Sequence, residues 1–386
     1  YFYPENFKIN DVAISLIKNG HEIEVLTGIP NYPHGNFYDG FKFWSNNDDF
    51  YKGIKVHRAK QIPRKKGGKL RLSLNYLSFV FFGFFKLMTI NSRFDRILTF
   101  APSPITVGIL GCIASIKYKA KTLLWVQDLW PESVRVAGGV KNTYALKILD
   151  YLTRKIYKFT DFILIQSEFF KQYLVDQDVN PSKIYYLPNY AENFYKPLDS
   201  DKIIRNSFGN GFSLLFAGNI GEAQNLKVLA DAARILKDQT YNVKFIIIGE
   251  GRFKNDLKFY INKLDIEDLF TFLGYIDPSQ IAKYFASADS LYISLKSADI
   301  FSLTIPSKLQ TYMVCARPII GSIDGVTAKI INDSNCGFTS NPGDHKSLAK
   351  NIVKMIELSN EERVRMSNNA SDYYIKNFDK KIIMNK

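Results

Sequence analysis

Short apolar runs separated by helical patterns constrain this chain more than any other feature. "HEIEVLT" follows the amphipathic stretch "INDVAISLIKNG", in which Val12, Leu16 and Ile17 share a face and Asn19-Gly20 form the stop. "RILTF" (96–100), "TLLWVQ" (122–127) and "FILIQS" (162–167) recur with helices between them. Runs this apolar suit strands covered on both faces, and strands alternating with helices build parallel sheets. "KIYYLPNYAENFYKPLDSD" (183–201), aromatic and twice interrupted by proline, reads as a crossing linker. The alternation then restarts with "FSLLFAGN" (212–219), "VKFIIIGEG" (243–251), "FTFLGY", "SLYISL" and "RPIIGS". The expectation is an α/β protein with two doubly wound, Rossmann-like domains and a cleft between them. Ligands in such sheets bind beyond the carboxyl ends of the strands. With 386 residues, each domain has enough chain for its own core.

The net charge of +14 favours polyanions: nucleic acid, anionic lipid or diphosphates. No nucleic-acid motif accompanies it, so no nucleic-acid partner is expected. Cys112, Cys315 and Cys336 stand far apart without CxxC spacing, as suits a reducing cytoplasm. No signal peptide is visible, although the chain begins at Tyr1 without a Met. His21, His34, His57 and His345 are scattered, and "DQD" (176–178) sits where a helix gives way to a loop; no metal site is expected.

"LSLNYLSFVFFGFFKLM" (72–88) is the one membrane candidate, but Asn75 and Lys86 bound only ten uncharged residues. A span needs roughly 20. "RKKGGKLR" precedes it, with five cations in eight residues. The pair reads either as an interfacial element on an anionic membrane surface or as a buried helix beside a solvated basic loop.

In "PSKLQTYM", Pro306, Ser307 and Lys308 open a helix, where free N–H groups, the dipole and a cation favour an anion. Lys308 is the first candidate to grip a diphosphate; the alternative is an exposed helix-start lysine. Gly218, Asn219 and Gly221 in "AGNIGEAQNL" allow close backbone approach, or form a plain strand-to-helix turn. Gly249 and Gly251 end a buried strand, with or without a ligand above them. Asp128 and Glu132 in "VQDLWPES" are carboxylates at a strand's carboxyl end, suited to orienting a hydroxyl. Asp128 as an N-cap is the alternative.

Taken in order, "GHEIEVLT", "VQDLWPES", "LPNYAENFYKP", "FAGNIGEAQNL", "IIGEG", "FLGYI", "SADSLYISL" and "PSKLQTYM" resemble the GT-B glycosyltransferases, family 4 of the retaining enzymes. The resemblance covers nearly the whole chain. "YFYPENFKIND", "TGIPNYPHG" and "FSLTIPSKLQTY" resemble the WbuB-type subgroup, which builds O-antigen, capsule or colanic-acid repeat units. The resemblance implies an acceptor-side domain at 1–190, a nucleotide-sugar domain at 191–365, and a terminal segment, 366–386, crossing back to the first. It implies a UDP-sugar donor, with N-acetyl-L-fucosamine as the candidate sugar, and a saccharide acceptor on polyprenyl diphosphate. It places the enzyme in the cytoplasm, peripheral on the inner face of the bacterial membrane. No cofactor beyond the donor substrate and no metal are implied.

The resemblance also sets Tyr275 beside the uracil and Lys8 facing a diphosphate, with Ser307 next to Lys308 at the donor phosphates. The leaving phosphate takes the acceptor's proton, so no histidine base is needed. Two departures stand out. The short strand that precedes "YFYPE" in the family is absent, and the expected pair of glutamates is replaced by Leu303 and Thr311. Two other readings stand beside this one: an inactive membrane-associated scaffold, and a sugar-nucleotide epimerase of the same fold. Release of UDP from candidate donors separates the transferase from both.

Overall fold

The computed structural model describes residues 2, 7–32, 35–65, 68–137 and 142–384. It divides into two compact units, Tyr1–Leu187 and Pro188–Lys386.

The first unit holds β1 (Glu24–Gly28), β2 (Asp49–Tyr51), β3 (Ile54–Ala59), β4 (Arg96–Ala101), β5 (Lys121–Val126), β6 (Phe162–Ile165) and β7 (Ile184–Tyr186). Among the described residues there are two sheets, β4-β5-β6-β7, all parallel, and β1-β3-β2. In the smaller sheet β1 runs parallel to β3, and β2 folds back antiparallel on it. The β2–β3 hairpin turns through Lys52 and Gly53, with φ of 50° and 85°. Positive φ at both central residues marks the turn twist that matches paired strands. Lys-Gly is a weak signal for it, and the apolar runs did not reveal this hairpin.

A polar network fastens the small sheet to its surroundings. Glu24 on β1 meets His57 Nε2 on β3 at 2.6 Å and accepts from Ser92 Oγ at 2.6 Å. Asp48 accepts from Arg58 N–H at 2.8 Å and pairs with Lys86 Nζ at 2.5 Å. Lys86 lies in the last turn of helix Lys69–Met88, so these bonds join that helix to the sheet.

That helix is amphipathic in an inverted sense. Asn75 and Ser78 face the protein at 0% and 8% exposure. Asn75 Nδ2 donates to Ile62 O, and Ser78 Oγ accepts from Ile62 N–H. Leu70, Leu77, Phe81 and Phe85 point outward, at 75%, 62%, 59% and 53% exposure. Asn75 and Lys86, which made the apolar core look short, are therefore turned inward. Leu70–Met88 has the length and mean hydropathy, 1.2, of a membrane-crossing helix. Its bonds to Ile62 and Asp48 nonetheless bind one side of it to the unit. The fully buried alternative does not hold. Lys66, Gly67 and the Lys69 side chain lie outside the described residues.

In the second unit, β8 (Phe212–Ala217), β9 (Val243–Ile248), β10 (Phe270–Gly274), β11 (Ser290–Ser294), β12 (Ile319–Ser322) and β13 (Gly337–Ser340) form one parallel sheet, ordered β10-β9-β8-β11-β12-β13. Every residue of β8 is buried. Leu215 and Ala217 enter one core cluster with Leu309 and Tyr312; Leu214 and Phe216 enter the other with Leu229 and Leu348. The two-residue period of a strand splits a continuous apolar run this way when helices cover both faces. Segment 366–386, expected to cross back, has described anchors inside the second unit. Tyr374 Oη accepts from Ala191 N–H at 3.0 Å, and Ala370 and Phe378 are buried in its core.

The Glu24 network generates a pH prediction. Burial raises the Glu24 pKa, but hydrogen bonds from Ser92 and His57 outweigh it and leave it lowered from 4.5. A lowered folded-state pKa contributes stability above the unfolded value, lost as pH falls through the folded value. Glu24→Gln is therefore expected to melt below the native chain at pH 7, with the gap closing under acid below 4.5. Circular-dichroism melts across pH check this, and a gap that stays constant into acid contradicts it.

Candidate functional site

The strand order of the second unit reverses between β8 and β11, the place where open α/β sheets form ligand crevices. The loops leaving these two strands are stitched together. Ser294 Oγ donates to Gln224 O at 2.6 Å, and Lys296 N–H donates to Ala223 O at 2.8 Å. An exposed ion pair, Lys296 Nζ to Glu222 Oε1 at 2.5 Å, closes the rim and lowers the Glu222 pKa.

Lys308 reaches this point from the first turn of helix Ser307–Val314. Its Nζ stands 4.1 Å from the centroid of the Phe216 ring, the next-to-last residue of β8. Its Cε would lie 2.5 Å from a Cβ added at Gly218, so the side chain runs directly along that glycine. No carboxylate pairs with it among the described residues, and burial pushes its pKa down to about 7. Pro306 caps the helix without a side-chain bond; Leu309 N–H donates back to Pro306 O at 2.9 Å, and among the described residues the N–H groups of Ser307 and Lys308 are left to an external acceptor.

Tyr312 fixes this helix in place. Its Oη accepts from Ala217 N–H at 3.3 Å and donates to Tyr292 O at 3.2 Å, tying the helix to β8 and β11. Sequence reasoning missed Tyr312 because it reads as one more apolar helix position. Thr311 Oγ1 donates to Ser307 O at 3.0 Å, and Ser307 itself is exposed.

The glycines are required by contact. Gly249 has φ 128°, and a Cβ there would sit 2.0 Å from Gly218 O. A Cβ on Gly251 would sit 2.2 Å from Ile220 O. The loops after β8 and β9 thus lie one on the other, through Ile220 N–H to Glu250 O at 2.9 Å. Gly221 N–H donates to Gln224 Oε1, and Asn219 is exposed above it. Tyr275, 71% exposed, follows Gly274 at the end of β10. The structure therefore brings together Lys308, Gly218, Gly249, Gly251 and Ser307 around one switch point.

The remaining candidates lie in the first unit. Lys8 is buried in the first turn of helix Phe7–Lys18, while Pro4 to Asn6 of its motif lie outside the described residues. Asp128 follows β5, and burial pushes its carboxyl up to about 6. Glu132 opens helix Glu132–Ala137 and pairs with Arg135 at 3.4 Å. Near Asp128 lies a group that sequence reasoning missed. Tyr157 is fully buried, and its hydroxyl has no hydrogen-bond partner among the described residues, like Trp130 Nε1, Ser133 Oγ and Thr153 Oγ1. Burial raises the Tyr157 pKa, and the charges of Tyr173 and Asp128 add to it. Buried polar atoms normally find partners. Thr153 and Tyr157, one turn apart on an otherwise apolar helix face, were the only sequence signal.

Residues 199–373 match the family described as "Glycosyl transferases group 1". This range contains the whole switch-point site. WcaI of Escherichia coli (strain K12), named "Putative colanic acid biosynthesis glycosyl transferase", is 26% identical over 246 residues, covering 61% of this chain and 60% of that protein. "Alpha-monoglucosyldiacylglycerol synthase" of Streptococcus pneumoniae is 24% identical over 314 residues, covering 79% of this chain and 69% of that one. The chain thus spans between 60% and 69% of these two relatives. HepE of Anabaena in complex with UDP-glucose superposes with a TM-score of 0.64 at 16% identity, over 86% of this chain and 84% of that one. The fold is GT-B, with two Rossmann-like α/β units.

The Lys308 environment sets a proton count. Its pKa of about 7 in the free protein rises when an anion arrives, since a nearby negative charge favours the ammonium. Binding of a phosphate-bearing anion at pH 8 is expected to take up a proton at this site, and its affinity to fall as pH rises above 7. Titration calorimetry in buffers of different ionisation heat reads the count. Binding without net uptake at pH 8 contradicts it.

Proposed function

We propose that the protein is a retaining glycosyltransferase of bacterial surface-polysaccharide biosynthesis. In this reading it moves a sugar, with N-acetyl-L-fucosamine as the candidate, from a UDP-sugar to a saccharide on polyprenyl diphosphate. The work takes place at the inner face of the cytoplasmic membrane. The observation that carries the reading is Lys308, held along Gly218 at the switch point and inside the stretch that matches the family.

In the transfer the bond from sugar C1 to the diphosphate oxygen breaks, and a bond from C1 to the acceptor oxygen forms on the same face. The acceptor's proton passes to the departing phosphate oxygen. Negative charge builds on the diphosphate, where fixed donors aimed at it contribute most. Lys308 and the open N–H groups of its helix supply those donors. The exposed ring of Tyr275 offers a face to the uracil. Thr311 offers the ribose a hydroxyl oxygen in place of a carboxylate, because its proton is engaged by Ser307 O. Asp128 accepts a hydrogen bond from the acceptor hydroxyl when ionised. No group of three His, Cys, Asp or Glu suited to a metal is found among the described residues, and the reading gives the diphosphate charge to Lys308.

The outward apolar side of helix Lys69–Met88 supports the membrane part of the reading. A large apolar face left open to solvent marks a contact surface. A relative named for a diacylglycerol product accords with it.

A donor screen against a lipid-linked acceptor, reading UDP release, tests the function. Lys308→Ala is expected to lower kcat and weaken UDP binding, a loss of about 2–4 kcal/mol in the transition state. Unchanged turnover and UDP affinity in that variant remove Lys308 from the site. Activity is expected to persist in excess EDTA; abolition by EDTA with rescue by Mg²⁺ or Mn²⁺ overturns the metal-free assignment.

A further inference from the structure

The outward-apolar helix ends beside a basic basin that the proposed reaction does not use. The basin has a volume of about 470 Å³ and is lined by Arg93, Phe94, Asp95, Arg96, Lys117, Tyr118 and Lys119. Four cations face one carboxylate. It lies at the amino ends of the strands, where Arg96 begins β4 and Lys121 begins β5. In open α/β sheets the ligand crevice is at the opposite, carboxyl ends.

We infer that this basin binds the phosphate of an anionic phospholipid headgroup, docking the end of helix Lys69–Met88 on the bilayer surface. The inference rests on the membrane contact proposed above. Three observations carry it.

The first is charge without partners. The side chains of Arg93 and Lys119 are exposed and make no ion pair or hydrogen bond among the described residues, so both can turn to an incoming phosphate. Arg96 Nη1 donates to Asp95 O at 2.8 Å, which leaves the rest of its fork open. Planar guanidinium groups match phosphate oxygens two at a time.

The second is local neutralisation. A helix carboxyl end carries partial negative charge and by itself repels an anion. Here Lys117 Nζ donates to Leu87 O, Met88 O and Ile90 O at 2.7, 3.0 and 2.6 Å. Tyr118 Oη donates to Ile90 O at 2.9 Å. The carbonyls at the end of helix Lys69–Met88 are therefore satisfied by a cation, and the basin floor is prepared for negative charge.

The third is what borders the basin. Ile116 and Met88 are 67% and 39% exposed, each within a turn of lining residues or the carbonyls that hold them. Met88 continues the outward stripe of Leu77, Phe81 and Phe85 on the same helix, and Ile116 adds an exposed apolar side chain beside Lys117. Apolar side chains beside a phosphate pocket suit a lipid, whose acyl chain leaves from its headgroup, better than a free anion, which presents no apolar part.

The test uses the full chain and vesicles at low salt. The native protein is expected to sediment with phosphatidylglycerol vesicles more strongly than with phosphatidylcholine vesicles. Arg93→Ser/Arg96→Ser/Lys119→Ser is expected to lose about 100-fold in affinity for the anionic vesicles and to keep its UDP binding. Should the triple variant melt early, Arg93→Ser/Lys119→Ser, at two exposed positions, gives the same reading with a loss of about 30-fold. Equal retention on both vesicle types, unchanged in the variants, overturns the basin while the helix contact stands. No retention on either vesicle overturns both. Inorganic phosphate bound without retention on phosphatidylglycerol assigns the basin to a free anion and overturns the lipid. A stable dimer without vesicle retention gives the apolar face to a second copy and overturns it too.

Discussion

The second unit depends on the burial of β8 from both faces. Every residue from Phe212 to Ala217 is inside, and the strand has no room for a polar side chain that acts on a ligand. Chemistry is therefore displaced to the strand's end, at Gly218, where the loop can be open because helices no longer cover it. The same constraint decides what surrounds the loop. Gly249 and Gly251 stand against Gly218 and Ile220 at distances that exclude any Cβ. A rigid core and a side-chain-free rim are two consequences of one packing arrangement.

Lys308 shows how such a site holds a cation. Its ammonium lies over the Phe216 ring, near the end of the buried strand, with burial acting against its charge. An isolated cation in this position costs stability, and an arriving anion offsets that cost. The lysine is kept in place by Tyr312, four residues along the same helix, whose hydroxyl bridges two strands. The first unit works by a different balance. It turns Asn75, Ser78 and Lys86 toward protein and leaves leucines and phenylalanines of the same helix outside. That inversion leaves an apolar face open to solvent, the face that the proposed function gives to a membrane.

Pattern reading located the strands of the second unit well, because runs such as "FSLLFAGN" and "VKFIIIGEG" are apolar throughout and buried strands need little else. It was weaker in the first unit. Asp49–Tyr51 and Ile54–Ala59 are short and carry charged residues, and Lys52-Gly53 hides the turn between them. The 72–88 segment was read by composition, and composition places Asn75 in the sequence without saying which side of the helix it occupies.

For the site, the residue types and their places at strand and helix ends were legible: Lys308, Gly218, Gly249 and Gly251 were all named from local pattern. What local pattern leaves open is distance across the sheet. That Lys308 runs along Gly218, that Tyr312 pins the helix to β8 and β11, and that Asp128 keeps company with Tyr157 are facts about elements far apart in the chain. The sequence by itself determined the class of fold and the chemistry available, because periodicity and residue type act over a few neighbours. Only the tertiary structure decided which groups meet and which lose their water, because burial and hydrogen bonding depend on packing between segments that the sequence keeps 20 to 95 residues apart.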